Sequence, residues 1–389
     1  MGCSQRVWYF KVEEEIDMSM GCTVVLAAGG TGGHVFPAEA LAEDLNNRGC
    51  KVVFITDKRA TEYKGILGTL EKYTVRAGTF GRGVLGKLTA GFDIGVGIMQ
   101  ARRKLKRIRP DIVVGFGGYP SFPTLIAAFS LNIPVIIHEQ NSVLGRANRL
   151  LIKYATAIAT TFPDTKFIDE QYAKKVVLTG NPVRAAIRAL NFVPYPELSQ
   201  DGNIRILVTG GSQGATIFSQ IVPAAIAALP GNLRSRIRVD QQCRKEDVET
   251  TRMAYANLNV SADVSSFFTD IPARLAATHL VIARAGASTI SELTAAGRPS
   301  ILVPLPTSMD NHQYYNATSI EEAGGAWMMP QEGFTAAALS GRIEAFLSLP
   351  DNLSRAAASA RKAGKINAAS DLAAITLNVA ATRKLREAL

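Results

Sequence analysis

The 389-residue chain is 47% hydrophobic and 20% charged, with a formal charge of +10 at pH 7. Such a composition excludes a disordered polymer, and such a length can bury two cores. The positive balance points to anionic partners: nucleic acid, phosphorylated substrates or an anionic membrane face.

No apolar stretch reaches the roughly 20 residues that a membrane-spanning helix needs. Cys3, Cys22, Cys50 and Cys243 are scattered, with neither a C-x-x-C pair nor a Cys/His cluster at ligand spacing. No metal site is expected, and a reduced cytosolic setting is the default. Residues 1–19 carry "KVEEEID" and no long apolar core, so they read as a variable extension rather than a secretory signal.

The first strand, Thr23–Leu26, runs into "AAGGTGGH" (27–34). Ala38, Leu41, Ala42 and Leu45 then share a helical face, Pro37 suits the first helical turn, and Lys51–Ile55 reads as the next strand. A strand feeding a glycine loop and a helix exposes backbone N–H groups that attract anions, phosphate above all. The order G-G-T-G-G-H departs from the dinucleotide pattern G-x-G-x-x-G, and Asp57 is the only acidic candidate for a nicotinamide ribose. His34 faces the loop, or merely caps the helix.

Further along, "FGRGVLGKLTAGFDIG" (80–95) sets Phe80, Val84, Leu85, Leu88 and Phe92 beside Arg82 and Lys87, and "RRKLKRIR" (102–109) follows. This is an amphipathic helix with a solvated basic face, or a shallow membrane-docking surface. The strand Asp111–Val114 opens a second glycine cluster, "GFGGYPSFP" (115–123), a turn or a binding loop. "IHEQNSVLGRAN" (137–148) ends a strand with His138, Glu139, Gln140 and Asn141 in succession, which is unusual unless they line a cleft. After the strand Val176–Leu178 comes "TGNPVR", where Arg184 can reach a phosphate or be solvated, and the proline-containing segment 191–203 reads as a linker.

The second half repeats the theme: Ile206–Thr209, then "GGSQGA", then a helix through Ile217, Ile221 and Ala225. Strands are expected at "RIRVD", "VSSFF", "HLVIA" and "SILVPLP", and after Gly333 the chain is Ala-rich and helical. In "ARAGASTISEL" (283–293) Thr289 and Glu292 have capping-box spacing, and a carboxylate there could equally hold two ribose hydroxyls. "DNHQYYNA" (310–317) offers polar groups suited to sugar hydroxyls or to a helix start. The pattern as a whole is α/β, with two Rossmann-like doubly wound domains, 20–190 and 200–364, facing a cleft that receives the glycine loops.

In this order, "GGTGGH", "GFGGYPSFP", "HEQNSVLGRANR", "TGNPVR", "GGSQGA", "ARAGASTISEL" and "DNHQYYNA" closely resemble the MurG family of bacterial transferases. The resemblance runs from about Cys22 to beyond Asn316. It implies the two-domain GT-B glycosyltransferase fold, with a final helix from about 365 returning to the N-terminal domain. It implies an inverting transfer of N-acetylglucosamine from UDP-GlcNAc to the C4 hydroxyl of MurNAc in undecaprenyl-pyrophosphoryl-MurNAc-pentapeptide, a step of peptidoglycan synthesis.

By the same resemblance, Ser212, Gln213, Gly214 and Arg184 hold the UDP diphosphate and Glu292 the ribose. Ala287 lies beside the nucleoside, and Phe267 and Phe268 contact uracil. Asn141 and Gln313 grip the sugar. His312 stands where a second glutamine would serve, which puts any role for two adjacent glutamines in doubt. Thr31, Gly32 and Gly33 are also assigned to the donor, and Gly29, Gly30, Gly117, Gly118, Tyr119, His138 and His34 to the acceptor. His34 is the first candidate for the general base, because an imidazole can take a proton near neutral pH, and Glu139 is the second. No cofactor or metal is required. The implied partners are the cytoplasmic leaflet of the plasma membrane and the cell-wall and division machinery, with no nucleic acid. The rivals are another UDP-sugar lipid glycosyltransferase, a UDP-GlcNAc 2-epimerase on the same scaffold, and a non-catalytic nucleotide-sugar-binding protein.

Overall fold

The computed structural model describes residues 21–29, 32–57, 65–78, 83–118, 121–199, 202–211 and 214–388. Gly30, Thr31, Tyr119, Ser212 and Gln213 lie outside them, as do Phe80, Arg82 and the extension 1–19; so do the side chains of Val84, Leu85, Lys87 and Leu88.

Two compact units result, Met1–Pro182 with Asn367–Leu389, and Val183–Ile366. Among the described residues, unit 1 holds seven strands: β1 (Thr23–Ala27), β2 (Lys51–Thr56), β3 (Glu71–Thr74), β4 (Ile112–Gly115), β5 (Val135–Glu139), β6 (Ala157–Thr160) and β7 (Val176–Leu178). They form one sheet in the order β3-β2-β1-β4-β5-β6-β7, with every pairing parallel. Both faces of a parallel sheet are covered, so its strands are near-continuous apolar runs whose alternate residues serve different cores. Val24, Leu26, Phe54, Ile112 and Val114 point to one core; Val25, Val53, Ile55 and Val113 point to the other. Helix α1 (Gly32–Asn47) supplies Ala38, Leu41 and Leu45 to the first core, and α2 (Gly83–Ile108) supplies Ala101 and Leu105 to the second.

Unit 2 repeats the plan with β8 (Ile204–Thr209), β9 (Ile237–Gln242), β10 (Ser261–Ser265), β11 (Leu280–Ala283), β12 (Ser300–Leu302) and β13 (Ala326–Met328), in the parallel order β10-β9-β8-β11-β12-β13. Its site-bearing helices are α3 (Thr216–Ala227), α4 (Ala287–Ala296) and α5 (His312–Glu322). The fully buried Arg298 donates from Nη1 to the Ala296 carbonyl at 2.8 Å and from Nη2 to the Ala276 carbonyl at 3.1 Å. One guanidinium thereby caps the C-terminal ends of α4 and of the helix before β11. Burial pushes its pKa down to about 10.

Three expectations need correction. α1 begins at Gly32, so Pro37 lies inside the helix rather than in its first turn. The strand expected at "VSSFF" is Ser261–Ser265, which leaves Phe267 and Phe268 on the following loop. The segment expected as a linker, 191–203, packs on unit 2: Asn191 Nδ2 donates to the Ala295 carbonyl at 3.0 Å, and Tyr195 Oη to the His279 carbonyl at 2.7 Å. The chain passes between units earlier, at Pro182–Val183, and Arg184 belongs to unit 2. It passes back at Ile366–Asn367, and α6 (Ala368–Ala388) buries Leu372, Ala373 and Ala380 in the first core of unit 1.

Candidate functional site

In each sheet the strand order reverses beside the first strand, between β1 and β4 in unit 1 and between β8 and β11 in unit 2. Open parallel sheets bind ligands outside the carboxyl ends of the strands at such a point. The glycine loops of the sequence leave the sheets at these places.

In unit 1 the two loops touch. The Phe116 N–H donates to the Ala27 carbonyl at 2.9 Å, and a Cβ built on Gly118 would lie 2.4 Å from the Gly29 oxygen. Gly117 has φ +83°, and an added Cβ would stand 3.2 Å from Cε1 of His34. The half-buried His34 ring, in the first turn of α1, thus lies against a turn that only glycine can make without strain. Its Nδ1 is 3.1 Å from Oε1 of Gln140. Gln140 Nε2 donates to the Phe116 carbonyl at 2.9 Å and lies 3.0 Å from Nδ1 of His138, whose Nε2 is 3.0 Å from the Gly180 oxygen.

His138 and Glu139 do not have the surroundings expected of substrate-facing groups. His138 is wholly buried, with its ring centroid 5.3 Å from that of Phe116, and burial lowers its pKa to about 4. Its hydrogen-bond partners among the described residues are Gln140 and the Gly180 carbonyl. Glu139 is 2% exposed. Its Oε1 accepts from Asn141 N at 3.1 Å and Nδ2 at 3.3 Å, and its Oε2 from Gly145 N and Asn148 Nδ2 at 2.8 Å each. Through these four hydrogen bonds the carboxylate organises the 140–148 loop. Asn141 is half-buried at the start of that loop.

In unit 2, Arg184 and Glu292 form one ion pair at 2.8 Å, Nη2 to Oε1. The N-cap of α4 is Gly286 and no side chain caps it, so Thr289 and Glu292 form no capping box. Burial raises the Glu292 pKa, and the Arg184 charge opposes that rise. Ala287, 5% exposed, opens the same helix. Gly214, with φ +68°, packs on the Arg244 backbone ahead of α3. Phe267 and Phe268 differ sharply, at 67% and 6% exposed. Phe268 is held under the Arg274 guanidinium, 3.8 Å from its ring centroid. Gln313 Oε1 accepts from Leu305 N at 3.0 Å, and His312 Nδ1 donates to the Met309 carbonyl at 2.9 Å, so both secure the turn after β12.

Residues 24–160 match the glycosyltransferase family 28 N-terminal domain, and residues 205–374 match the family 28 C-terminal domain. The chain belongs to glycosyltransferase family 28. It is 52% identical over 363 residues to a Rhodospirillum centenum protein named UDP-N-acetylglucosamine–N-acetylmuramyl-(pentapeptide) pyrophosphoryl-undecaprenol N-acetylglucosamine transferase, covering 93% of this chain and 96% of the relative. A protein of the same name from Paramagnetospirillum magneticum is 51% identical, covering 92% and 96%. Among solved structures, Acinetobacter baumannii MurG is 30% identical with a TM-score of 0.73, covering 92% of this chain and 99% of that one. Two parallel-sheet units with these domains form a GT-B fold.

Against the family 28 domains, His34, Gly117, Gly118, Gln140 and Asn141 fall in the N-terminal match and Glu292, Ala287, Phe267 and Gln313 in the C-terminal one, while Arg184 lies between the two. Three site-building residues went unassigned in the sequence. Gln140 was visible in the polar run but carried no role. Gln242 accepts from Thr209 Oγ1 at 2.9 Å and donates to Gly211 O at 3.3 Å and Ser266 O at 3.4 Å, tying the glycine loop to the Phe267 loop. Arg274 pairs with Asp240 and Asp263 at 2.7 Å each and with Asp270 at 2.9 Å. Nothing in the local sequence pattern marks either Gln242 or Arg274.

Proposed function

We propose that this chain transfers N-acetylglucosamine from UDP-GlcNAc to the C4 hydroxyl of MurNAc in undecaprenyl-pyrophosphoryl-MurNAc-pentapeptide, releasing UDP. The observation that carries this reading is the 52% identity, across both units, to a transferase named for that reaction. His34 takes the hydroxyl proton as the oxygen bonds to the anomeric carbon, and the bonding pair of the glycosidic oxygen leaves with UDP. Inversion follows from attack opposite the leaving group.

The donor is assigned to unit 2. Arg184 exchanges part of its pairing with Glu292 for the diphosphate, the amides ahead of α3 add hydrogen bonds, and the Glu292 carboxylate accepts from the ribose hydroxyls. The exposed Phe267 ring packs on uracil while Phe268 anchors its loop. Gln313 reaches the sugar. The glycine loops at Gly29 and Gly117 receive the acceptor diphosphate. The reaction is written without a metal or cofactor.

The lipid tail of the proposed acceptor supports a peripheral site of action, which we assign to the cytoplasmic face of the plasma membrane. No helix among the described residues is long and apolar enough to cross a membrane. On α2, Phe92 and Met99 are 67% and 55% exposed, and with Arg103 and Lys106 they recur at helical spacing along one stripe. An apolar stripe ending in cations suits shallow docking on anionic lipid. The test is disaccharide formation and UDP release from UDP-GlcNAc with a short-chain acceptor analogue. Folded enzyme that binds UDP-GlcNAc yet forms no disaccharide would sink the acceptor assignment.

A further inference from the structure

We infer that Gln140 is a positioning residue for this transfer, holding His34 in the Nδ1–H tautomer so that Nε2 carries the lone pair that receives the acceptor proton. The inference rests on the reading of His34 as the base.

The argument is one of donors and acceptors. Gln140 Nε2 stands 2.9 Å from the Phe116 carbonyl. A carbonyl oxygen only accepts, so the end of the amide facing it is the NH2 end, and Oε1 faces His34. Oε1 also only accepts, and it lies 3.1 Å from His34 Nδ1. Nδ1 therefore carries the hydrogen, and a neutral imidazole with Nδ1–H has a bare Nε2.

The same amide sets a second ring. Its NH2 group also faces the His138 carbonyl at 3.2 Å and His138 Nδ1 at 3.0 Å; Nε2 of that ring stands 3.0 Å from the Gly180 carbonyl, which only accepts, so the hydrogen is on Nε2 and Nδ1 is the acceptor. Both ends of the chain of bonds meet backbone carbonyls, of Phe116 and Gly180, that cannot exchange roles. Reversing the amide would set oxygen against oxygen at Phe116. Complete burial keeps His138 neutral, as this pattern requires. Gly117 presses on the Cε1 and Nδ1 side of the His34 ring, at 3.2 and 3.3 Å from an added Cβ. Nε2 makes no hydrogen bond among the described residues, so it is the nitrogen left to meet a substrate.

The experiment is a long-range proton–nitrogen spectrum of the full chain carrying ring-15N histidine, at a pH where the imidazoles are neutral. The His34 signals among the four histidines are identified by their loss in His34→Asn. Wild type should show His34 protonated on Nδ1. Gln140→Met should shift His34 toward Nε2–H and lower kcat about 10- to 100-fold, with KM for UDP-GlcNAc within about twofold. Nε2–H in the wild type overturns the inference without any variant, and so does a Gln140→Met enzyme that keeps both the tautomer and the turnover. Full turnover in His34→Ala would instead overturn the base reading, whatever the tautomer.

Discussion

The two units share one plan, a parallel sheet with glycine loops at its reversal point, yet they furnish that point in opposite ways. Unit 1 sets the His34 imidazole on a chain of neutral, buried groups: His138 is wholly buried and Gln140 is 3% exposed. Unit 2 presents an ion pair, Arg184–Glu292, whose side chains are 36% and 21% exposed, together with the open Phe267 ring. Repeated topology fixes where a ligand goes, and the dielectric character of the lining decides what is done to it. A buried, neutral lining strengthens and orients the hydrogen bonds of the group it holds, whereas charged, half-exposed groups can exchange partners with an anion.

The contrast can be broken most forcefully at His34. His34→Ala should lower kcat about 10²- to 10⁴-fold, with UDP affinity unchanged by calorimetry; a parallel loss of UDP binding would erase the division of labour. Next comes pH. Burial depresses the His138 pKa to about 4 from the ordinary 6.5, so between these values the unfolded chain binds the extra proton. The stability this ring contributes is full above pH 6.5 and falls through the window toward pH 4, by about 3 kcal/mol. Urea midpoints from pH 7 to 4 should show that slope, and His138→Phe should lack it whatever its absolute stability.

The charged side is tested by Glu292→Gln, which keeps the shape and removes the carboxylate. UDP affinity should weaken about 10- to 100-fold, while kcat at saturating donor stays within a few-fold. The smallest effect belongs to Phe267→Ala. Stability should change by less than about 0.5 kcal/mol because the ring is exposed. UDP should bind about 10-fold more weakly, and a pyrophosphate probe should bind equally well to both chains.

The architecture was legible because parallel strands advertise themselves: Thr23–Ala27 and Ile204–Thr209 are apolar runs that end at glycines. Strands that are short or alanine-rich, such as Ala157–Thr160 and Ala326–Met328, gave no such contrast and went unread. "VSSFF" misled because two phenylalanines look like a strand, whereas one ring is exposed and the other is an anchor under Arg274. The glycine loops and Glu292 were visible, but not the wiring behind them. Gln140 acquires its role only through partners 24 and 106 positions away in the chain. Likewise the partners of the Glu139 carboxylate, Asn141, Gly145 and Asn148, are set by the fold of the loop that follows it. Local sequence reports which groups are present, and tertiary structure decides which of their lone pairs are already spent.

The discontinuity of unit 1 has a consequence for synthesis. Leu372, Ala373 and Ala380 cover the apolar face built by Val24, Leu26 and Phe54, yet they are translated after all of unit 2. On the ribosome, the sheet of unit 2 can be complete while that of unit 1 still exposes an uncovered oily face. The last helix is therefore the closing stitch of maturation: a transcript cut short before residue 367 would release a chain with unit 2 finished and unit 1 open to aggregation or proteolysis.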